Sequence, residues 1–197
     1  MFSKNQSGSS LNRQLFETYM ALDNWHQFRL RLFIEGIFVG IAGGLSISLF
    51  RFLLNKSEDL RIHLYYAYLI PALRRDDPLP LLSYALLLLA IGGALCDMCR
   101  YAPMAGGSGI PQVKGVILGL MKMKWLRILW VKILAGAIGI GAGLSLGREG
   151  PSIQIGAVAG QGLSRMLGRT RMEELYVITS GASAGLTDAF HATLAGM

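Results

Sequence analysis

The chain has 197 residues, of which 52% are hydrophobic and 16% charged, and its formal net charge is +7. With a mean hydropathy of +0.44, it lacks the polar side chains that the surface of a soluble domain requires. The basic excess does not make it a nucleic-acid binder either. Lys and Arg form no dense stripe with interleaved aromatics but sit in short clusters between apolar runs, such as Lys122, Lys124 and Arg127, then Arg165, Arg169 and Arg171.

Clusters of that kind are what the positive-inside rule places in cytoplasmic loops, and the pattern predicts an all-α, multi-pass integral membrane protein. Residues 1–28 read as a polar cytoplasmic segment without the apolar core of a signal peptide. Leu11, Leu15, Phe16, Tyr19 and Leu22 give it a weak helical stripe, suited to lying on the membrane surface or on the protein. Residues 29–197 read as one transmembrane domain. Arg29 and Arg31 precede a first apolar run, 32–50, which is long enough to span and has Glu35 near one end, within reach of interfacial water. Residues 51–80 read as a mixed external linker, with bases nearly balancing acids and Tyr65, Tyr66 and Tyr68 as an interfacial anchor.

The second span is 81–98. Cys96 and Cys99 at its end form a C-x-x-C with no second pair or nearby His to complete a zinc site, so they read as small apolar residues. After a small-residue loop, 110–121 is apolar but about half the length of a crossing, and reads as re-entrant. The third span, 125–146, contains Lys132, readable as a buried counter-charge or as a snorkelling side chain. Residues 152–167 form a helix returning to the basic cluster, and 173–186 a weaker one. Glycines inside these runs suit close helix–helix packing in lipid.

Two glycine-flanked phrases interrupt the apolar pattern: Gly107-Ser108-Gly109-Ile110-Pro111 and Gly147-Arg148-Glu149-Gly150-Pro151. Each predicts a break followed by a helix start at membrane depth. A helix start offers unpaired N–H groups and partial positive charge, which suits an anion. Irregular backbone is tolerated in a membrane only where it lines a cavity or is buried in protein. Ser108 offers a hydroxyl donor between glycines that let an ion approach. Glu149 can occupy the anion position when charged and leave it when protonated, serving as gate and proton carrier together. The competing readings are a Ser cap and an acidic helix cap. Arg148 supplies positive potential at the outer entrance.

Gly181-Ala182-Ser183-Ala184-Gly185 matches the G-x-S-x-G nucleophile elbow, with Asp188 and His191 following in hydrolase order. All three triad candidates lie within nine positions of an alanine-rich, helical stretch. An elbow needs a strand before it and partners from distant loops, so small residues for helix packing are the plainer account.

The two glycine phrases, Lys132 and the 181–196 stretch together resemble the CLC family of chloride channels and chloride/proton exchangers. The resemblance runs from about Arg29 to the end of the chain. It implies chloride movement across a cell (plasma or inner) membrane, no cofactor, no enzymatic reaction, and homodimers whose subunits are each built from two inverted halves. Carried over by position, Ser108 contacts the central anion from the cytoplasmic side and Glu149 is the external gating glutamate. Gly107, Gly109, Ile110, Pro111, Gly147, Gly150 and Pro151 shape the helix starts around the ion. The resemblance covers the first half of that fold. The second half's Gly-x-Phe-x-Pro segment and anion-contacting tyrosine, the internal proton-transfer glutamate and most of the dimer interface are outside the sequence. The expectation is therefore a partial domain that alone does not close the anion site, with a non-transporting truncated fragment as the alternative; channel and exchanger both remain open. Asp188, His191 and Thr193 depart from the small residues, Asn and Pro that the family favours there.

Overall fold

The computed structural model describes the backbone of residues 6–74 and 78–190 and the side chains of residues 33–73 and 78–190. His191 and Thr193 lie outside the described residues, as does the side-chain pattern expected for 11–22. The chain forms two compact units, Met1–Phe38 and Val39–Met197. The first is helical from Gln6 onward. Glu35 in it is 5% exposed, so it is buried rather than at an aqueous edge. The rest of the fold concerns the second unit.

No strand occurs among the described residues. The first helix, α1 (Gln6–Leu64), runs for 59 residues and continues through the first half of the stretch read as a linker. The bases and acids of that stretch are spaced to pair along a helix, as Arg61 does with Glu58 at 3.3 Å. No proline intervenes before Pro71. Pro71 then leaves its mark: it cannot donate to residue 67, and its ring crowds that carbonyl. The helix widens into a π turn, Tyr65–Leu69, before α2 (Ile70–Arg74).

The third helix, α3 (Pro78–Tyr101), opens on prolines suited to a first turn and has no buried residue. Phe33–Leu73 and Pro78–Tyr101 each contain an 18-residue stretch apolar enough to cross a bilayer, with mean hydropathies of 2.0 and 2.1. After a 3-10 turn, Pro103–Ala105, come α4 (Ile110–Ile117), α5 (Trp125–Gly141), α6 (Glu149–Met166) and α7 (Arg171–Phe190). Both α4 and α5 stop short of the apolar runs that encode them. Gly119 and Gly143 take up left-handed backbone at φ 75° and 92°. Leu120 N–H then bonds Gly115 O at 2.9 Å, and Leu144 N–H bonds Gly139 O at 3.1 Å. Glycine alone accepts that conformation without strain, so it ends each helix while apolar residues continue.

Burial runs opposite to that of a soluble protein. The most enclosed helix is α6, rich in Gly, Ala, Ser and Gln, whereas the leucine-rich α3 is exposed or half-buried along its length. Leu79 is 75% and Leu89 72% exposed. Large apolar exposure on this scale marks a surface made for lipid or for other protein. Helix α6 packs on α7 backbone to backbone. A Cβ at Gly156 would overlap Gly181 O, one at Gly181 would overlap Gly156 O, and one at Gly185 would overlap Ser152 O. The glycines framing Ser183 are thus a helix-packing surface, and Ser183 lies mid-helix rather than on a strand-to-helix turn.

Polar side chains fasten the bundle at two places. Arg51 of α1 pairs with the Asp188 carboxylate at 2.9 Å and donates to the Asp188 carbonyl at 2.6 Å. The aspartate that departs from the family pattern therefore has a partner on a distant helix, which also removes it from any triad. At the other end of α7, Glu174 receives Gln161 at 2.9 Å, Arg165 at 3.1 Å and Arg171 at 3.0 Å. Burial alone raises this carboxyl; the bonds from Gln161, Arg171 and Arg165 outweigh it and hold Glu174 below its ordinary value. A lowered folded-state pKa contributes stability above the ordinary carboxylate range and loses it as pH falls through the lowered value. Glu174→Gln is expected to cost about 1–2 kcal/mol at neutral pH, the arginines being half exposed, and to flatten acid destabilisation below about pH 4.5. Thermal melts in detergent from pH 7 to 3 check this; parallel curves for both proteins would refute it.

Candidate functional site

The loop before α4 has its carbonyls turned inward and held. Gln154 Nε2 donates to Met104 O at 2.7 Å, and Gln112 Nε2 to Gly106 O at 2.9 Å. Lys132 Nζ donates to Ala105 O at 2.9 Å and to Gly107 O at 2.7 Å. Four consecutive carbonyl oxygens are thereby occupied. Lys132 is 5% exposed, so it is a buried clamp and not a snorkelling charge. A cationic donor to two carbonyls makes stronger bonds than a neutral one.

Gly109 (φ 90°) is the N-cap of α4, and no side chain caps that helix. Arg148 is the N-cap of α6, and again no side chain caps it. Neither the Ser108 cap nor the Glu149 cap considered from sequence is formed. The first-turn N–H groups that a cap would satisfy are left for another acceptor at both helices.

The two phrases meet. A Cβ at Gly150 would overlap Ser108 O, so the Ser108–Gly109 turn lies directly on the first turn of α6. From the other side, a Cβ at Gly109 would fall 2.5 Å from Gln154 Oε1. Both glycines are required by close approach, and Gly109 by its backbone as well. Gly109, Gly150 and Pro151 are buried, whereas Gly107, Ser108, Ile110, Pro111, Gly147, Arg148 and Glu149 are exposed. Glu149 stands in the first turn of α6, where the helix dipole favours a carboxylate. Arg148 lines a cavity of about 190 Å³ together with Arg51, Asn55 and Ser152.

A family profile described as "Voltage gated chloride channel" matches residues 87–197, more than half the chain, including both glycine phrases and Lys132. The chain belongs to the voltage-gated chloride channel family. Among its relatives, the H(+)/Cl(-) exchange transporter ClcA of Cronobacter sakazakii is 43% identical over 99 residues, 50% of this chain and 21% of the relative. The ClcA of Vibrio cholerae serotype O1 is 41% identical over 100 residues, with the same shares. The solved structure of a slow cyanobacterial Cl-/H+ antiporter superposes with a TM-score of 0.73 at 35% identity, covering 84% of this chain and 38% of that one. The matched region thus spans about a fifth of the curated relatives' length. This chloride-channel-family chain is an all-α integral membrane protein, and it carries part of the family's fold.

Within that family fold, sequence reading found both helix starts and Lys132 but missed Gln112, Gln154 and the Arg51–Asp188 pair. Gln154 did leave a signal: a polar amide inside the small and apolar run Ile153–Gly156 of a buried helix. Such a group is expected to be bonded to something.

Proposed function

We propose that this chain forms one side of a transmembrane chloride pathway in a CLC-type protein, moving chloride in exchange for protons. The observation that carries it is the contact of two uncapped helix starts at Ser108 and Gly150, with the neighbouring loop carbonyls held away by Lys132, Gln112 and Gln154. That arrangement leaves the first-turn donors and partial positive charge of both helices toward an anion, with the carbonyls of residues 104–107 already occupied. Exchange is favoured over a channel by the relatives, which are named as exchangers or antiporters.

In this reading Ser108 donates its hydroxyl to the ion. Glu149 competes with it for the α6 start as a carboxylate and withdraws on protonation, and Arg148 concentrates anions at the entrance. The basic ends of α5 to α7 and the N-terminus face the cytoplasm of a cell-membrane protein. The missing coordination comes from the remainder of a full-length protein, which is a dimer in this reading. No cofactor and no covalent step is involved.

The test is chloride efflux and coupled proton uptake in liposomes, with this chain alone and with it joined to the segment that follows the match in a related exchanger. Flux in the joined protein that loses its pH dependence in Glu149→Gln is the expected result. If the joined protein folds and moves no chloride, the chain is a non-transporting fragment and the proposal fails.

A further inference from the structure

The far ends of α4 and α6, away from the two glycine phrases, belong to a surface that the chloride pathway does not use. Here the C-termini of α3, α4 and α6 meet the N-termini of α5 and α7. The Arg127 guanidinium lies 4.4 Å from the Tyr101 ring centroid, joining α5 to α3. Gly162 of α6 abuts the Trp125 ring. Arg171 donates to Val116 O at 3.3 Å, joining α7 to α4. The acids of this surface are occupied. Asp97 faces Arg100 at 3.6 Å, Glu174 is held by Arg165 and Arg171, and Glu173 accepts from the backbone and hydroxyl of Thr170. Lys122, Lys124 and Arg127 are exposed and have no acidic partner among the described residues.

Between the bases stand apolar side chains that water would not favour: Leu120 is 79% and Met166 78% exposed. A purely aqueous surface accounts for the bases but not for these, and a purely hydrocarbon surface for these but not the bases. The boundary between head groups and acyl chains accounts for both. The patch is continuous with a hydrocarbon-type surface. One turn along α5 from Leu126, Trp130 is 52% exposed, and α3 behind Tyr101 has no buried residue.

We propose that this face binds the phosphate groups of anionic phospholipids, with Lys122, Lys124 and Arg127 as the contacts and Leu120 and Met166 inserted beside them. Three cations without acidic partners at one boundary give an attraction that salt screens.

The experiment uses the full chain in neutral detergent with Trp125 as the sole tryptophan (Trp25→Phe, Trp130→Phe). It is titrated with phosphatidylglycerol or phosphatidylcholine carrying brominated chains, which quench indole fluorescence. The quenching midpoint is expected roughly tenfold lower for phosphatidylglycerol, with the preference collapsing at about 0.5 M salt. The triple variant Lys122→Gln, Lys124→Gln, Arg127→Gln is expected to lose the preference while keeping its circular dichroism. The salt arm needs no charge substitution, so it decides the matter even if the triple variant misfolds. Equal midpoints for the two lipids, or a preference indifferent to salt, overturn the proposal. Inorganic phosphate that displaces the lipid at comparable concentration also overturns it, by making this a soluble-anion site.

Discussion

Gly181→Leu is expected to destabilise the chain by at least about 3 kcal/mol, the largest stability effect of any single substitution considered. The Gly181 Cα hydrogens face the carbonyl of Gly156, and the reverse holds for Gly156. A side chain at either position meets backbone, which cannot rotate away as a flexible side chain would. The helices would have to part along their whole contact. That would strip Ile178 and Val158, both fully buried, from each other's helix and draw Glu174 away from Gln161. The matched control is Gly92→Leu on α3, where a Cβ meets no atom within 4 Å. There the gain in helix propensity offsets any loss, and the effect should stay within about 0.5 kcal/mol. Thermal unfolding in one detergent, followed by circular dichroism, separates the two. Equal melting temperatures for both variants would mean that α6 and α7 do not pack through these glycines.

The same glycines show why parts of the structure were legible in the sequence and others were not. Gly and Pro act locally, so Gly107–Pro111 and Gly147–Pro151 announced their helix starts without knowledge of the rest. The alanine- and glycine-rich 181–185 stretch announced packing for the same reason. Composition misled where a charged segment was read as a linker. Residues 51–64 are polar yet helical, their charges spaced to pair along the helix, and the absence of proline before Pro71 was the better guide. The ends of α4 and α5 were overshot because hydropathy does not register a left-handed glycine until its position is weighed against it. The Arg51–Asp188 pair, 137 positions apart, has no local signature at all. Gln112 and Gln154 were visible as polar residues, but their targets are carbonyls, which carry no identity in a sequence.

Those carbonyls set the second large expectation. Lys132→Met should loosen the loop ahead of α4 and, in the joined protein, lower apparent chloride affinity at least tenfold. The ammonium is the shared donor to Ala105 O and Gly107 O, and the methionine that replaces it fills similar volume without a donor. Two oxygens are then left inside the fold without partners. Each costs about 1–3 kcal/mol unless the peptide turns to find another donor. The nearest donors by position are the N–H groups of the two uncapped helix starts, because Gly107 immediately precedes the turn that rests on Gly150. A carbonyl that turned toward them would occupy the place proposed for chloride. Hydrogen exchange read over residues 103–112 should rise at least tenfold in Lys132→Met, a measurement the chain permits without transport. Lys132→Gln keeps one amide donor and should fall between parent and Met variant. Lys132→Arg keeps the charge but presents a planar fork where a point donor to two oxygens fits, so it should not restore parental behaviour. If exchange over the loop is unchanged in Lys132→Met while chloride affinity drops, the lysine acts through its charge alone. If both are unchanged, the clamp has no part in shaping the α4 start.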